Sequence, residues 1–353
     1  MTTSDSPNLG GIASASIVSD SSIKDDIAAL SWFTPALGTM MGYGVAAVGL
    51  IRGLMDNECF VGYNNPHPKV HVSFVQPEWY LGVEGQFKVG YTPWESTVIP
   101  DTWKYYMQQQ DQIWTTSKFC VDVFESFDVH DDIRLVPHGI DPEVWTVSER
   151  TLSDKFIFLH VGGTSERKGA QKVVDTFLDL YDGDESKQLV LKSNGVSEAR
   201  WRRGDFYGGN IANHPQVTVI TADLEVGDLV RLYHQAHCLV YPTNGEGFGF
   251  IPFQGIATGM PTIATNLTAT ADFAELSMPL DATWTDGFGL HLGQWAEPDL
   301  EHLHFLMKDV VDNWELHKKK AMHSARIIHS TQTWNHIGQL VMDILGDRLY
   351  ERI

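Results

Sequence analysis

Long apolar runs, cysteine and positive charge are what this 353-residue chain has least of. No apolar run approaches the ~18–20 residues that a membrane-spanning helix needs, so stable membrane anchoring is not expected. The three cysteines, Cys59, Cys120 and Cys238, have apolar neighbours and no metal-ligand spacing. They read as reduced core thiols in a cytoplasmic protein. Lys and Arg number 25 against 45 Asp and Glu, a net charge of −20, and residues 1–150 already hold 19 acidic against 8 basic groups. Nucleic acid is bound by neutralising phosphates with Lys and Arg, and anionic membranes attract basic segments; the charge disfavours both partners. No Ser-His-Asp signature, zinc spacing or short repeat stands out. The opening stretch, residues 1–24, lacks the basic region and apolar block of a signal peptide and reads as a polar tail.

Apolar content of 43% supports a real core, and the length suggests two domains of roughly 150–200 residues. Strand-like and amphipathic helix-like runs alternate almost throughout, the pattern of α/β units around parallel sheets. Strands are expected at Ile27–Trp32, Cys59–Tyr63, Val70–Phe74, Phe87–Tyr91, Gln112–Thr115 and Ile133–Val136, with helices at Val45–Met55, Asp101–Gln110 and Lys118–Phe127. The Pro- and Gly-containing run Val136–Pro142 suits a linker. A second series follows: strands at Phe156–Val161, Gln188–Lys192, Val217–Thr221 and Cys238–Tyr241, helices at Gln171–Tyr181, Leu224–His234, Glu301–Arg326 and Thr333–Leu349.

Residues 245–266, GEGFGFIPFQGIATGMPTIATN, are the most informative stretch. They read as a glycine loop, a short helix and a buried strand. Gly247, Phe248 and Gly249 let backbone approach a ligand, Pro252 suits a first helical turn, and the free amides there form an anion site. Glu246 just before that turn and Gln254 inside it are two polar side chains that can face one pocket. The arrangement fits a ligand with hydroxyls and a diphosphate. A second cluster, His160-Val-Gly-Gly-Thr-Ser-Glu-Arg-Lys-Gly169, links a strand to a helix. Gly162 and Gly163 permit a tight turn, and Arg167 and Lys168 can neutralise a diphosphate leaving group without a metal. A solvated Arg-Lys pair is the plainer reading, but cations at a helix N-terminus cost about 0.3–1 kcal/mol, which a bound anion offsets. Gly38–Gly44 is another glycine loop, explained equally well as a structural turn. Asp182-Gly-Asp184 has a DxD spacing but reads as a solvated turn, and Arg200–Arg203 as a surface loop. Trp94, Trp103 and Trp114 offer sugar-stacking faces, although such residues more often belong to a core.

Together these segments resemble the retaining GT-B glycosyltransferases of family 4, over about Ile27 to Leu349. Gly38–Gly44 is similar to that family's first glycine loop, and Tyr91–Pro100 with Asp111–Ser117 to its acceptor-domain core. Val136–Asp141 is similar to its interdomain linker, Gly162–Gly169 to its phosphate loop, and Glu246-Gly-Phe-Gly with Gln254 to its E-x7-E element. The resemblance implies an α/β GT-B fold. Residues 25–140 would form a Rossmann-like acceptor domain and 141–330 a nucleotide-sugar domain, facing each other across a cleft. Residues 331–353 would be a helix returning to the first domain. It implies hexose transfer from a UDP- or GDP-linked donor to a hydroxyl of a protein, glycan or small molecule, with no cofactor or metal. Arg167 and Lys168 would hold the diphosphate, and Glu246 with Gly247, Phe248 and Gly249 the sugar; Gly162 and Gly163 also belong to the donor side. Residue 254 would meet the ribose hydroxyls, and Gly42, Trp94, Glu95 and Ser96 would line the acceptor side. Two departures stand out. Gln254 replaces the family's second Glu, and Thr92-Pro-Trp-Glu95 lacks the His that many relatives carry there; His71 and His138 lie near in sequence. The other reading is an inactive sugar-nucleotide or glycan-binding protein of the same fold.

Overall fold

The computed structural model describes residues 30–38, 42–63, 68–80, 87–152, 154–163, 165–193, 202–203, 206–207, 211–287, 289 and 291–349. The polar tail, the start of the first expected strand, residues 39–41 of the first glycine loop, Thr164 and residues 200–201 lie outside them.

The first sheet contains β1 (Leu30–Phe33), β2 (Val61–Tyr63), β3 (Val70–Phe74), β4 (Phe87–Tyr91), β5 (Gln112–Thr115) and β6 (Ile133–Leu135), in the order β2-β1-β3-β4-β5-β6. The second contains β7 (Phe156–Val161), β8 (Lys187–Lys192), β11 (Val217–Ile220), β12 (Cys238–Tyr241), β13 (Thr262–Thr265) and β14 (Met278–Leu280), ordered β11-β8-β7-β12-β13-β14. Every pairing within both sheets is parallel. Central strands such as β3, β12 and β13 are buried at every position, because helices cover both faces of a parallel sheet. A short ladder, β9 (Arg202–Arg203) with β10 (Phe206–Tyr207), and a hairpin, β15 (Ala282–Asp286) with β16 (Gln294–Pro298), are antiparallel.

The helices are α1 (Gly42–Asp56), α2 (Trp103–Met107), α3 (Lys118–Ser126), α4 (Ala170–Tyr181), α5 (Val226–Gln235), α6 (Phe250–Ala257), α7 (Leu300–Asp312), α8 (Trp314–Thr331) and α9 (Trp334–Leu345). One correction concerns the single helix expected at Glu301–Arg326. The chain leaves helical geometry at Asn313 (φ −118°, ψ 37°), whose side chain donates to Asp309 at 2.6 Å. Such local side-chain bonding competes with helix continuation, and α7 and α8 are separate.

Helix α9 returns to the first domain, packing Trp334, Ile337, Val341 and Leu345 into the same core as Leu30, Trp32, Leu50 and Val72. Its approach to α1 is possible because of glycine: a Cβ on Gly49 would lie 2.1 Å from the Trp334 ring, and one on Gly53 2.0 Å from the Trp334 carbonyl oxygen. The linker runs beside this return, Ile140 N donating to Gln332 O at 3.0 Å and Trp334 N to Ile140 O at 3.1 Å. Just past the linker, buried Arg150 donates to the carbonyls of Ala236, Tyr233 and Thr258 at 2.8–3.0 Å, pinning the crossing to the second domain.

In the second sheet the chain lays β8 and β11 on one side of β7, then β12, β13 and β14 on the other. The loops leaving β7 and β12 therefore diverge at the topological switch point, where open α/β sheets bind ligands.

Candidate active site at the switch point between the domains

The loop after β7 delivers the phosphate-type cluster. Arg167 and Lys168 sit in a single 3-10 turn, Glu166–Lys168, immediately before α4. Gly169 caps it at φ 74°, and a Cβ there would lie 2.1 Å from the Pro242 carbonyl oxygen, so glycine is required. The loop after β12 is tied to the first by Asn244 N donating to Arg167 O at 2.7 Å. It carries Glu246, whose Oε1 accepts from Lys168 Nζ (2.6 Å), Tyr241 (2.8 Å) and Thr243 (3.2 Å) and lies 3.3 Å from Arg167 Nη1. The Glu246 amide donates to Thr268 Oγ1 at 3.2 Å.

Burial alone would raise the Glu246 carboxyl. The opposing charges of Lys168 and Arg167, with hydrogen bonds from Lys168 and Tyr241, outweigh it and hold the group at about 2. Lys168 moves below its ordinary value, because burial and neighbouring Arg167 outweigh the pull of Glu246 and the weaker one of Glu95. Arg167 moves up: burial opposes its charge, but Glu246 and Glu95 both favour it. A buried carboxylate thus holds two cations together in a place where an unpaired charge would be costly.

Glu95 comes from the other domain. Its Oε1 lies 3.5 Å from Arg167 Nη2, so Arg167 bridges Glu95 and Glu246. Arg167 Nη1 also donates to Gly245 O. The glycine loop packs directly on the Pro93–Glu95 backbone: a Cβ on Gly245 would lie 2.3 Å from Glu95 O, and one on Gly247 2.4 Å from Pro93 Cβ. Thr116 donates to Gly247 O. Tyr241 through Gly249 are all buried in consequence. A cavity of about 600 Å³ lies elsewhere, lined by Pro261, Thr262, Met278, Leu306, Lys320 and Ser324 at the N-terminal ends of β13 and β14. Its lining shares no residue with the charged cluster.

The remaining expected residues fall around this cluster. Gly249 (φ 97°) caps α6, and Phe248 and Gln254 are buried beside it. A Cβ on Gly162 would lie 3.4 Å from both His160 Nε2 and Lys168 Cβ, whereas Gly163 faces open space. Trp94 and Ser96 are buried; the Trp94 indole donates to Val98 O at 2.9 Å, and its ring meets Trp103 edge-on at 4.6 Å. Trp94, Trp103 and Trp114 are thus core residues. Gly42 is exposed at the first position of α1. His138 is buried where linker, α6 and α9 meet, stacked on Phe250 at 4.7 Å, and burial pushes it down to about 3. His71 lies inside β3, pushed down to about 4 by burial. Asp182 and Asp184 form a turn, Asp184 accepting from Ser186 and Asp182 pairing with His214.

Sequence reasoning named no role for Tyr241, Thr243, His160 or His291. Tyr241 and Thr243 flank the strand-to-loop step just before Gly245, a place the motif itself marks. His160, next to last in β7, donates from Nδ1 to Val240 O at 2.9 Å, leaving Nε2 as a buried lone pair. His291 lies in the β15–β16 turn, distant in sequence from every motif, 3.9 Å from Glu95.

Two parallel-sheet Rossmann-like domains, a site at the switch point of the second and a terminal helix returning to the first define the GT-B class. HepE from Anabaena, solved with UDP and glucose, superposes with a TM-score of 0.65 at 11% identity, over 90% of this chain and 99% of that one. Sucrose-phosphate synthase from Thermosynechococcus elongatus gives 0.59 at 16% identity, over 80% and 74%. At such identities the likeness is one of fold. The profile of family 4 glycosyltransferases in conflict systems matches residues 122–340, more than half of the chain, and the chain belongs to that family. The capsular polysaccharide biosynthesis glycosyltransferase CapM of Staphylococcus aureus is 25% identical over 123 residues, 35% of this chain. The match spans 31% of CapM's own length.

Proposed function

We propose that this protein is a glycosyltransferase that moves a hexose-type sugar from a UDP- or GDP-linked donor to a hydroxyl acceptor, with retention and without a metal. The observation that carries the reading is the Arg167–Lys168 pair, gathered by buried Glu246 at the switch point and faced by Glu95 of the other domain. Two fixed cations at a helix start stabilise the charge that develops on a departing diphosphate, and the amides at the start of α6 add donors for it. Glu246 and Gln254 would address the donor's hydroxyls, and closure of the two domains would keep water from the reacting carbon. Family membership and the complex of the fold relative HepE with UDP and glucose support the same donor class.

A thermal-shift screen of nucleoside diphosphates and their sugars tests the donor side. UDP, GDP or one of their sugars is expected to raise the melting temperature, since a ligand of the native state stabilises it by mass action. The shift should shrink in Lys168→Ala and grow in Gln254→Glu, because a carboxylate accepts from both ribose hydroxyls whereas an amide also donates. No shift with any of these compounds would contradict the proposal. Gln254 favours a second reading, a binding protein of the same fold; binding without turnover would support it.

A further inference from the structure

Glu95 offers its two carboxylate oxygens to different partners. Oε1 lies 3.5 Å from Arg167, and Oε2 lies 3.9 Å from Nδ1 of His291. His291 belongs to the other domain, in the turn between β15 and β16. That hairpin is fastened to the acceptor side: Thr97 N donates to Gln294 O at 2.9 Å, and Gln294 N donates to Thr97 Oγ1 at 2.7 Å. Gly293 (φ 78°) packs so tightly that a Cβ there would lie 2.4 Å from Val98. The imidazole is flanked by the rings of Trp94 at 5.5 Å and Trp295 at 6.1 Å, which fix its plane.

His291 Nδ1 is buried and has no hydrogen-bond partner. At 3.9 Å it is too far from Glu95 for a direct bond, yet one oxygen atom can sit within bonding reach of both. Buried polar groups normally have partners, and a hydroxyl at that spot supplies one. Charges reach the ring from both domains: Glu95 and Glu246 favour its protonation, Arg167 and Lys168 oppose it, and burial holds it below the usual histidine value. The neutral ring can accept or donate.

We infer that Glu95 and His291 together seat the attacking hydroxyl of the acceptor, a pair drawn from both domains. The inference rests on the glycosyltransferase reading. The acceptor oxygen bonds to the anomeric carbon as the bond from that carbon to the phosphate oxygen breaks. The electron pair leaves with the nucleoside diphosphate, and the hydroxyl proton passes to a phosphate oxygen. Glu95 and His291 orient the hydroxyl for that exchange while Arg167, between Glu95 and Glu246, steadies the leaving group.

The test uses the full chain with UDP-glucose and GDP-mannose, with water and methyl α-glucopyranoside as acceptors. Melting temperatures and UDP and GDP affinities are measured alongside. His291→Ala is expected to lower sugar release and transfer at least tenfold, with nucleotide affinity within twofold of wild type. His291→Asn, which keeps a polar atom near the Nδ1 position, should restore most of the loss. Unchanged turnover in His291→Ala would overturn the inference and leave the glycosyltransferase reading standing, as would a loss of nucleotide affinity parallel to the loss of turnover. A wild type that binds and consumes neither sugar nucleotide would overturn the reading itself, and the inference with it.

Discussion

Glu246 is the residue on which the site depends, and its surroundings decide how it should be tested. Truncation to Ala would leave Lys168 and Arg167 buried without their shared anion, and breaking a buried pair in that way costs about 3–5 kcal/mol. Glu246→Gln keeps the shape and the acceptor oxygen for Tyr241 and Thr243. The carboxyl's folded value of about 2 against an ordinary 4.5 means its contribution is complete above about pH 4.5 and is lost as pH falls towards 2. That contribution is about 3 kcal/mol. Buried His138 and His160, pushed down to about 3 and 4, act earlier. The unfolded chain takes their protons first, so each removes about 1.4 kcal/mol per pH unit as pH drops below about 6.5. Urea midpoints measured from pH 7 to 3 should therefore fall from about pH 6.5 and fall more steeply once Glu246 begins to titrate below about pH 4.5, and Glu246→Gln should remove only that added steepness. A wild type whose midpoint is flat between pH 6.5 and 4.5 would contradict the histidine assignment. Arg167, Lys168 and Glu246 were legible in sequence, because each sits in a motif whose glycines announce a close approach of backbone; Glu95, in the glycine-free run Tyr91–Pro100, was named only through the family resemblance. His291 was not: its partnership depends on how two domains face one another, which no local spacing encodes.

Elements were legible where period and length agreed. The strands at Val70–Phe74, Phe87–Tyr91, Gln112–Thr115, Phe156–Val161 and Cys238–Tyr241 occur with the boundaries that alternation and apolar runs suggested. The β15–β16 hairpin went unread, because Ala282–Asp286 has mixed burial and little apolar content, and its partner strand is found only across a glycine-rich turn. The split between α7 and α8 was hidden because amphipathic spacing continues through Asn313, and only side-chain bonding ends the first helix. The contact of α1 with α9 gives a test at this scale. Gly53→Ala would drive a Cβ to 2.0 Å from the Trp334 carbonyl oxygen. It should cost about 2–3 kcal/mol of unfolding free energy by overpacking, despite a helix-propensity gain of about 1 kcal/mol. Gly42→Ala, with no atom within 4 Å of the new methyl, should leave stability unchanged or slightly raised. Equal effects of the two substitutions in thermal unfolding would contradict the packing account.

At the scale of the whole molecule, the site is shared. The second domain brings the cations, Glu246 and the hairpin turn with His291; the first brings Glu95 and the backbone that covers the glycine loop. Asp272 accepts from the Lys118 amide at 2.8 Å, another tie across the same interface. The excess of acidic charge disfavours a polyanionic partner, while Arg167 and Lys168 are held at the site by the carboxylates of Glu246 and Glu95. Among the described residues no helix is long and apolar enough to cross a membrane. The central claim is that this covered cation pair drives departure of a nucleoside diphosphate from a sugar. Release of free nucleotide from UDP-glucose and GDP-mannose, followed in wild type and Lys168→Ala at matched folded fraction, tests it directly. The account predicts release by the wild type from at least one donor and a loss of at least a hundredfold in the variant; equal rates in the two proteins would contradict it.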